Sequence, residues 1–404
     1  MKRYRTSFWI LVLLMAVIGM LGGLGSLILG LFLPSSLDAQ MDLAKVGLDV
    51  AGLLALGFSA MLFVTGWRGW KNHTSPPFYL PYGWITPLVL WGGLIALVFL
   101  LPGIQQRPLL LAAIHLLLII LPAFLLLILT TLAAGKIRPL NVREVVAALT
   151  GGALSTSAAL ILETLALLLN IFLVVIIFTL IPGGMTEIER LLSELQQLSQ
   201  LPTTAIPEEQ VLNLLKSPVV LSVLGLTLAV ATPLIEELGK TAIVPILGIW
   251  EQFDLRRAFL WGVACGIGFA VVEGALNGLM SASGPAAGWA AGVTVRALAT
   301  AMHAFTSGLV GLGWGYVLQK RRRWMFPILF LAAAFFHGLW NFSTIGLIAG
   351  TPQTVGETIG FTDSIIALLG SGTLLVLALA APSGLIALAL WLRHRDSNRD
   401  RENA

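Results

Sequence analysis

Charge is what this sequence has least of. Only 11% of its 404 residues are Asp, Glu, Lys or Arg, against about 25% in an ordinary soluble domain. That scarcity excludes a water-facing surface over most of the chain. Cysteine is scarcer still: Cys265 is alone, so no intrachain disulfide can form and dithiol redox chemistry is excluded. Internal repeats, a glycine-rich phosphate loop, a Walker motif and a zinc-ribbon cysteine pattern are all missing. Neither nucleotide nor nucleic acid is therefore expected as a partner. The alternating ten-residue strands of an outer-membrane barrel are absent too.

Apolar sequence fills the space. Hydrophobic residues make up 57%, in recurring runs of about 20 residues or more that read as an all-α, polytopic membrane protein. About ten transmembrane helices are expected: Phe8–Leu33, Val46–Gly66, Trp84–Leu101, Leu109–Ala134, Val145–Ile181, Val219–Ile249, Ala258–Met280, Ala286–Leu318, Met325–Ala349 and Ile365–Leu392. The first follows MKRYR and reads as a retained signal anchor. With both termini in the cytoplasm, cytoplasmic segments hold 18 of the 24 Lys and Arg residues. Only Lys45, Arg107, Arg190 and Lys216 fall outside, so every connection obeys the positive-inside rule. The expected setting is a prokaryotic cytoplasmic membrane, with lipid as the constant partner.

The chain is expected to comprise four regions: a five-helix membrane region over 1–182, an outer segment over 183–218, a second membrane core over 219–349, and a last span with a basic tail over 350–404. In the outer segment Ile188, Leu191, Leu192, Leu195 and Leu198 recur at helical spacing and predict an amphipathic surface helix. Val219–Ile249 is about 46 Å long if fully helical, well beyond a core of about 30 Å. It carries Pro233 and Pro245, so a kink or break is expected near them.

That same span contains TPLIEELGKTAIVP, Thr232 to Pro245. Glu236, Glu237 and Lys240 each cost roughly 2.5–3.5 kcal/mol at a helix centre, so something must compensate. Counted from the cytoplasmic end of each span, Glu236 and Glu237 lie about 20 Å in, Glu273 and His303 about 22 Å and His337 about 18 Å. Four helices thus bring their ionisable groups to one layer. Glu236 and Lys240 are spaced to pair at i,i+4, as are Glu273 with Asn277 and His337 with Asn341. Gly262 and Gly266 form a face for close helix approach. Arg296 and His303 lie on one side of their helix, with Thr306 beyond, and Arg296 is placed to snorkel or to brace a carboxylate. Outside this layer, His115 and Glu163 are expected to pair with each other, and Asp49 to be hydrated.

Two chemistries suit such a layer. A divalent metal, zinc being the natural choice, could take His303, His337 and Glu273 as ligands and acidify a bound water, with a second carboxylate as base. Without metal, a glutamate could activate water directly while histidine and Asn341 stabilise the oxyanion. The same groups would also serve a proton- or ion-coupled transporter. Crowding into one half of the chain counts against the paired repeats that transporters often show.

The motifs carry a resemblance. EELGK, GIGFAVVE, RALATAMHAFTSGLVG and HGLWNF resemble, in order, the four motifs of the PrsW family of intramembrane proteases. The CAAX-protease and bacteriocin-processing (Abi) superfamily is more distantly similar in plan. The resemblance covers about Thr232–Phe342 and implies a membrane endopeptidase, usually classed as a metalloprotease, acting on a membrane-anchored protein. It implies Glu236, Glu237, Glu273, His303 and His337 as the active-site set, with Lys240, Arg296 and Asn341 in support; Asn277, one turn after Glu273, is a further supporting candidate by its spacing. Gly274 departs from the family, which commonly has Asn directly after the third glutamate.

Overall fold

The computed structural model describes residues 2–32, 39–100, 103, 107–136, 139–201, 208–251, 253–282, 285–320, 322–350 and 361–402. The expected span ends Leu33 and Leu101, the charges Arg138 and Arg321, and residues 202–207 and 351–360 lie outside the described residues. The regular elements among those described are all helices, as the apolar runs require. They are α1 Lys2–Phe32, α2 Ala39–Trp70, α3 Ile85–Leu100, α4 Pro108–Ala134, α5 Val142–Leu180, α6 Gly184–Ser199, α7 Glu208–Lys216 and α8 Pro218–Leu224. A π-helix, Gly225–Ala231, follows. Then come α9 Thr232–Lys240, α10 Ile243–Trp250, α11 Leu255–Asn277, α12 Leu279–Ala282, α13 Ala286–Leu318, α14 Met325–Gly350 and α15 Phe361–Glu402.

Among the described residues eight helical stretches are long and apolar enough to cross a membrane, which makes this an all-α, multi-pass membrane protein. Two of the ten expected spans are not among the eight. Helix α3 is apolar but only 16 residues long, short of the roughly 20 that a bilayer core asks for. Helix α13 has 33 residues and the expected bounds; its Gly, Thr, Ser and His residues make it less apolar. The overlong span around the charged motif is interrupted, as its prolines predict. A π-helix precedes α9, and Thr241 and Ala242 separate α9 from α10.

The chain divides into two compact units. One comprises 1–156, 240–329 and 381–404. Its centre is the packing of α11 on α13, with Phe259, Trp261, Cys265 and Trp289 fully buried. Gly262 and Gly266 are why these helices lie so close. A Cβ at Gly262 would strike the Ser307 carbonyl, and one at Gly266 the His303 carbonyl. At the expected cytoplasmic end, Asn141 and Glu144 form a reciprocal capping box, with backbone N–H to side-chain oxygen distances of 3.0 and 3.1 Å. Arg257 joins it through a 3.1 Å bridge to Glu144.

The other unit comprises 157–239 and 330–380. Helix α6 packs Ile188 and Leu191 against Val174, Val219 and Val223. The amphipathic helix therefore forms where expected, but only part of its stripe is covered: Leu192 is 60% and Leu195 47% exposed.

Candidate active site

In the first unit the site residues form a chain of charge. Lys240, the last residue of α9, places its Nζ 2.8 Å from His303 Nδ1 and 4.2 Å from the centre of the Phe269 ring. His303 Nε2 lies 2.8 Å from Glu273 Oε2. The same oxygen takes Arg296 Nη2 at 2.9 Å, and Glu273 Oε1 accepts from Asn277 Nδ2 at 3.1 Å. An ammonium can only donate, so Nδ1 of His303 accepts and Nε2 carries the proton to Glu273. Both ring nitrogens are thereby used. Arg296 braces a carboxylate, one of the two roles expected of it, and the Glu273–Asn277 pair forms as its spacing predicts. Thr306 turns its hydroxyl back to the Met302 and His303 carbonyls of its own helix.

In the second unit His337 is set between two carboxylates. Its Nδ1 lies 3.0 Å from Glu237 Oε1, and its Nε2 lies 3.7 Å from Glu236 Oε2. Glu237 is 0%, His337 2% and Glu236 5% exposed. Glu237 fixes the ring: Nδ1 donates to it, which leaves the Nε2 lone pair facing Glu236. A 3.7 Å separation is too long for a good hydrogen bond. It suits two ligands that each approach one ion at about 2.0–2.2 Å. A carboxylate holding the far nitrogen of the histidine is the usual support of a metal-binding imidazole. Glu236 Oε2 and His337 Nε2 could thus serve as two ligands of a divalent ion.

Asn341, one turn beyond His337, lies elsewhere than expected. Its Nδ2 donates to the Leu228 carbonyl of the π-helix at 2.8 Å. Nearby, Gly338 sits so close to the Ala229 carbonyl that a Cβ would strike it. Sequence reasoning missed Asn170, whose buried amide donates to Thr227 Oγ1 at 3.0 Å. A lone asparagine within the apolar run of α5 was the available signal.

His115 finds other partners than the expected Glu163. Trp289 Nε1 donates to its Nδ1 at 3.3 Å, and its Nε2 donates to the Ala275 carbonyl at 3.0 Å. Both nitrogens are satisfied in a fully buried ring, which makes His115 a structural residue. Asp49 is buried rather than hydrated.

Comparison with known proteins returns no match among curated proteins and none among solved structures. Residues 197–368 match the model of the PrsW family intramembrane metalloproteases. Over that span, under half of the chain but holding every candidate residue from Glu236 to Asn341, the protein is similar to that family.

Proposed function

We propose that the protein is an intramembrane endopeptidase that hydrolyses a peptide bond of a membrane-anchored protein. We further propose that Glu236, Glu237 and His337 in one unit and Glu273 and His303 in the other supply its active-site residues. The observation that carries this reading is the buried His337 with Glu237 on one ring nitrogen and Glu236 3.7 Å from the other. The family match spans all five residues.

The roles follow from the contacts. Glu237 holds the His337 tautomer. Glu236 would be a ligand when an ion is bound and, without one, would take the proton of the attacking water, a contribution worth about 10²–10⁴ in rate. Glu273 anchors His303 in turn, held by Arg296 and Asn277. Because both Glu273 oxygens already have close partners, Arg296 and His303 at one and Asn277 at the other, it fits an anchoring role better than the ligand role expected from sequence. An ion would be held by His337 and Glu236, and when bound it would supply the Lewis acidity that brings a water pKa toward about 7. Zinc is the choice that suits imidazole and carboxylate donors.

The relay alternative gains no support. Transporters tend to break helices in both halves, and among the described residues the one π-helical interruption precedes α9. The test is mass spectrometry of new protein N-termini in membranes containing the wild-type protein or Glu236→Gln. Termini within or next to membrane spans that appear only with the wild type are expected. Identical terminus sets would refute the protease reading.

A further inference from the structure

The π-helix before α9 raises the question of what holds it. Thr232 N–H donates to the Thr227 carbonyl, five residues back. In that register the next carbonyl, Leu228, would take the N–H of residue 233. Residue 233 is proline and has none. Among the described residues, the side-chain donor that meets this carbonyl is Asn341 Nδ2, at 2.8 Å. Packing does not fix the conformation on every side. The π-helix borders an apolar cavity of about 440 Å³ lined by Val174, Ile177, Phe178, Leu226, Val230 and Phe342, among others.

This register decides which way α9 faces. A π-turn holds one residue more than an α-turn, and each residue advances a helix by about 100°, so losing the π-turn would rotate α9 by roughly that angle. The carboxylates that meet His337 lie four and five residues after Thr232. Asn341 and His337 are one turn apart on α14, so one helix grips both the π-turn and the carboxylates it orients.

We propose that Asn341 is a positioning residue. Its side-chain amide stands in for the N–H that Pro233 lacks, and so holds the π-helix in the register that turns Glu236 and Glu237 toward His337. The inference rests on the proposed active centre only in calling these carboxylates its working groups.

The test is a double-substitution cycle on the full chain in lipid nanodiscs, with Asn341→Leu, Pro233→Ala and the pair. Leucine keeps the branching and the heavy-atom count of the side chain and removes the donor. Hydrogen exchange at the 229–232 amides should rise at least tenfold in Asn341→Leu. In the Pro233→Ala background, where residue 233 has its own N–H, adding Asn341→Leu should change exchange less than twofold. A second readout is ¹⁵N-histidine NMR, with the His337 ring signals assigned by their loss in His337→Gln. The Nδ1–H signal should move in Asn341→Leu as its bond to Glu237 is disturbed. Equal increases in exchange in both backgrounds, or unchanged exchange with an unmoved His337 signal, would overturn the proposal. Neither readout needs hydrolysis. Glu236→Gln leaving proteolysis intact would refute the enzyme reading without touching this one.

Discussion

His303 touches an ammonium on one ring nitrogen and a carboxylate on the other; His337 faces carboxylates with both. The two rings have similar burial and lie on long helices, yet their surroundings give them different chemistry. Around His303, Lys240, Glu273 and Arg296 alternate in sign, so each charge is offset by a neighbour and the imidazole links them. Around His337 the negative groups have the ring between them, and its Nε2 faces Glu236 at 3.7 Å. In a medium that penalises unpaired charge, the first arrangement is a brace, and the second is the one the proposed function makes a binding place.

Breaking the second arrangement should have the larger effect. His337→Ala and Glu236→Gln are each expected to lower proteolysis by about 10²–10⁴, read from the yield of membrane-span cleavage products at matched protein levels. Glu237→Gln should act through the ring: an amide can donate to Nδ1 and stabilise the other tautomer, so the loss should be accompanied by a shifted His337 ¹⁵N signal. A Glu237→Gln variant with normal activity and normal histidine signals would remove Glu237 from the mechanism.

Metal binding sharpens the same contrast. One zinc per chain is expected in protein purified without chelating tags, and none in His337→Ala. Glu273→Gln disturbs the His303 brace and leaves His337 and Glu236 in place, so it should weaken zinc affinity far less than His337→Ala. Chelator competition measures both. If Glu273→Gln abolished binding while Glu236→Gln did not, Glu273 would be the carboxylate ligand after all.

The packing beneath the His303 brace gives a smaller, structural effect. Gly266→Val would set a side chain against the His303 carbonyl and should destabilise the α11–α13 pair by about 1–3 kcal/mol. Thermal unfolding in detergent would show it. Gly274→Asn, which restores the residue common in the family, should be milder. A Cβ there meets Ile119 Cγ2 at 3.3 Å and Arg296 Nε at 3.5 Å, distances that small side-chain shifts relieve.

These sites differ in how far the sequence disclosed them. Helix bounds were legible because apolar runs end at charge, and α13 begins and ends where expected. The Glu273–Asn277 pair was legible from i,i+4 spacing, since a helix alone sets that contact. The π-helix was not, although Pro233 announced a disturbance: proline says that a helix must adjust, but whether by kink or by wider turn depends on what meets the freed carbonyl. That partner, Asn341, is 113 residues away. The partners of His115 were misjudged for a related reason. A depth count places groups along the membrane normal and says nothing about which helix faces are neighbours.

The smallest expected effect lies at the outer helix, outside the membrane. Arg190 bonds Glu187 at 2.6 Å and also pairs with Glu194. The first of these bonds, with help from Ser217, holds the Glu187 carboxyl below its ordinary value of 4.5. The folded helix therefore favours ionised Glu187. Its contribution is complete above about pH 4.5 and is lost as pH falls through the lowered folded value. Since these groups are largely solvated, the effect should be small and weakened by salt. Hydrogen exchange of the 184–199 peptide, corrected for intrinsic pH dependence, would measure it. Wild-type protection should fall on acidification, while Glu187→Gln should start lower and stay flatter. Parallel profiles would mean that Ile188 and Leu191, packed on Val174 and Val219, hold this helix without help from its charges.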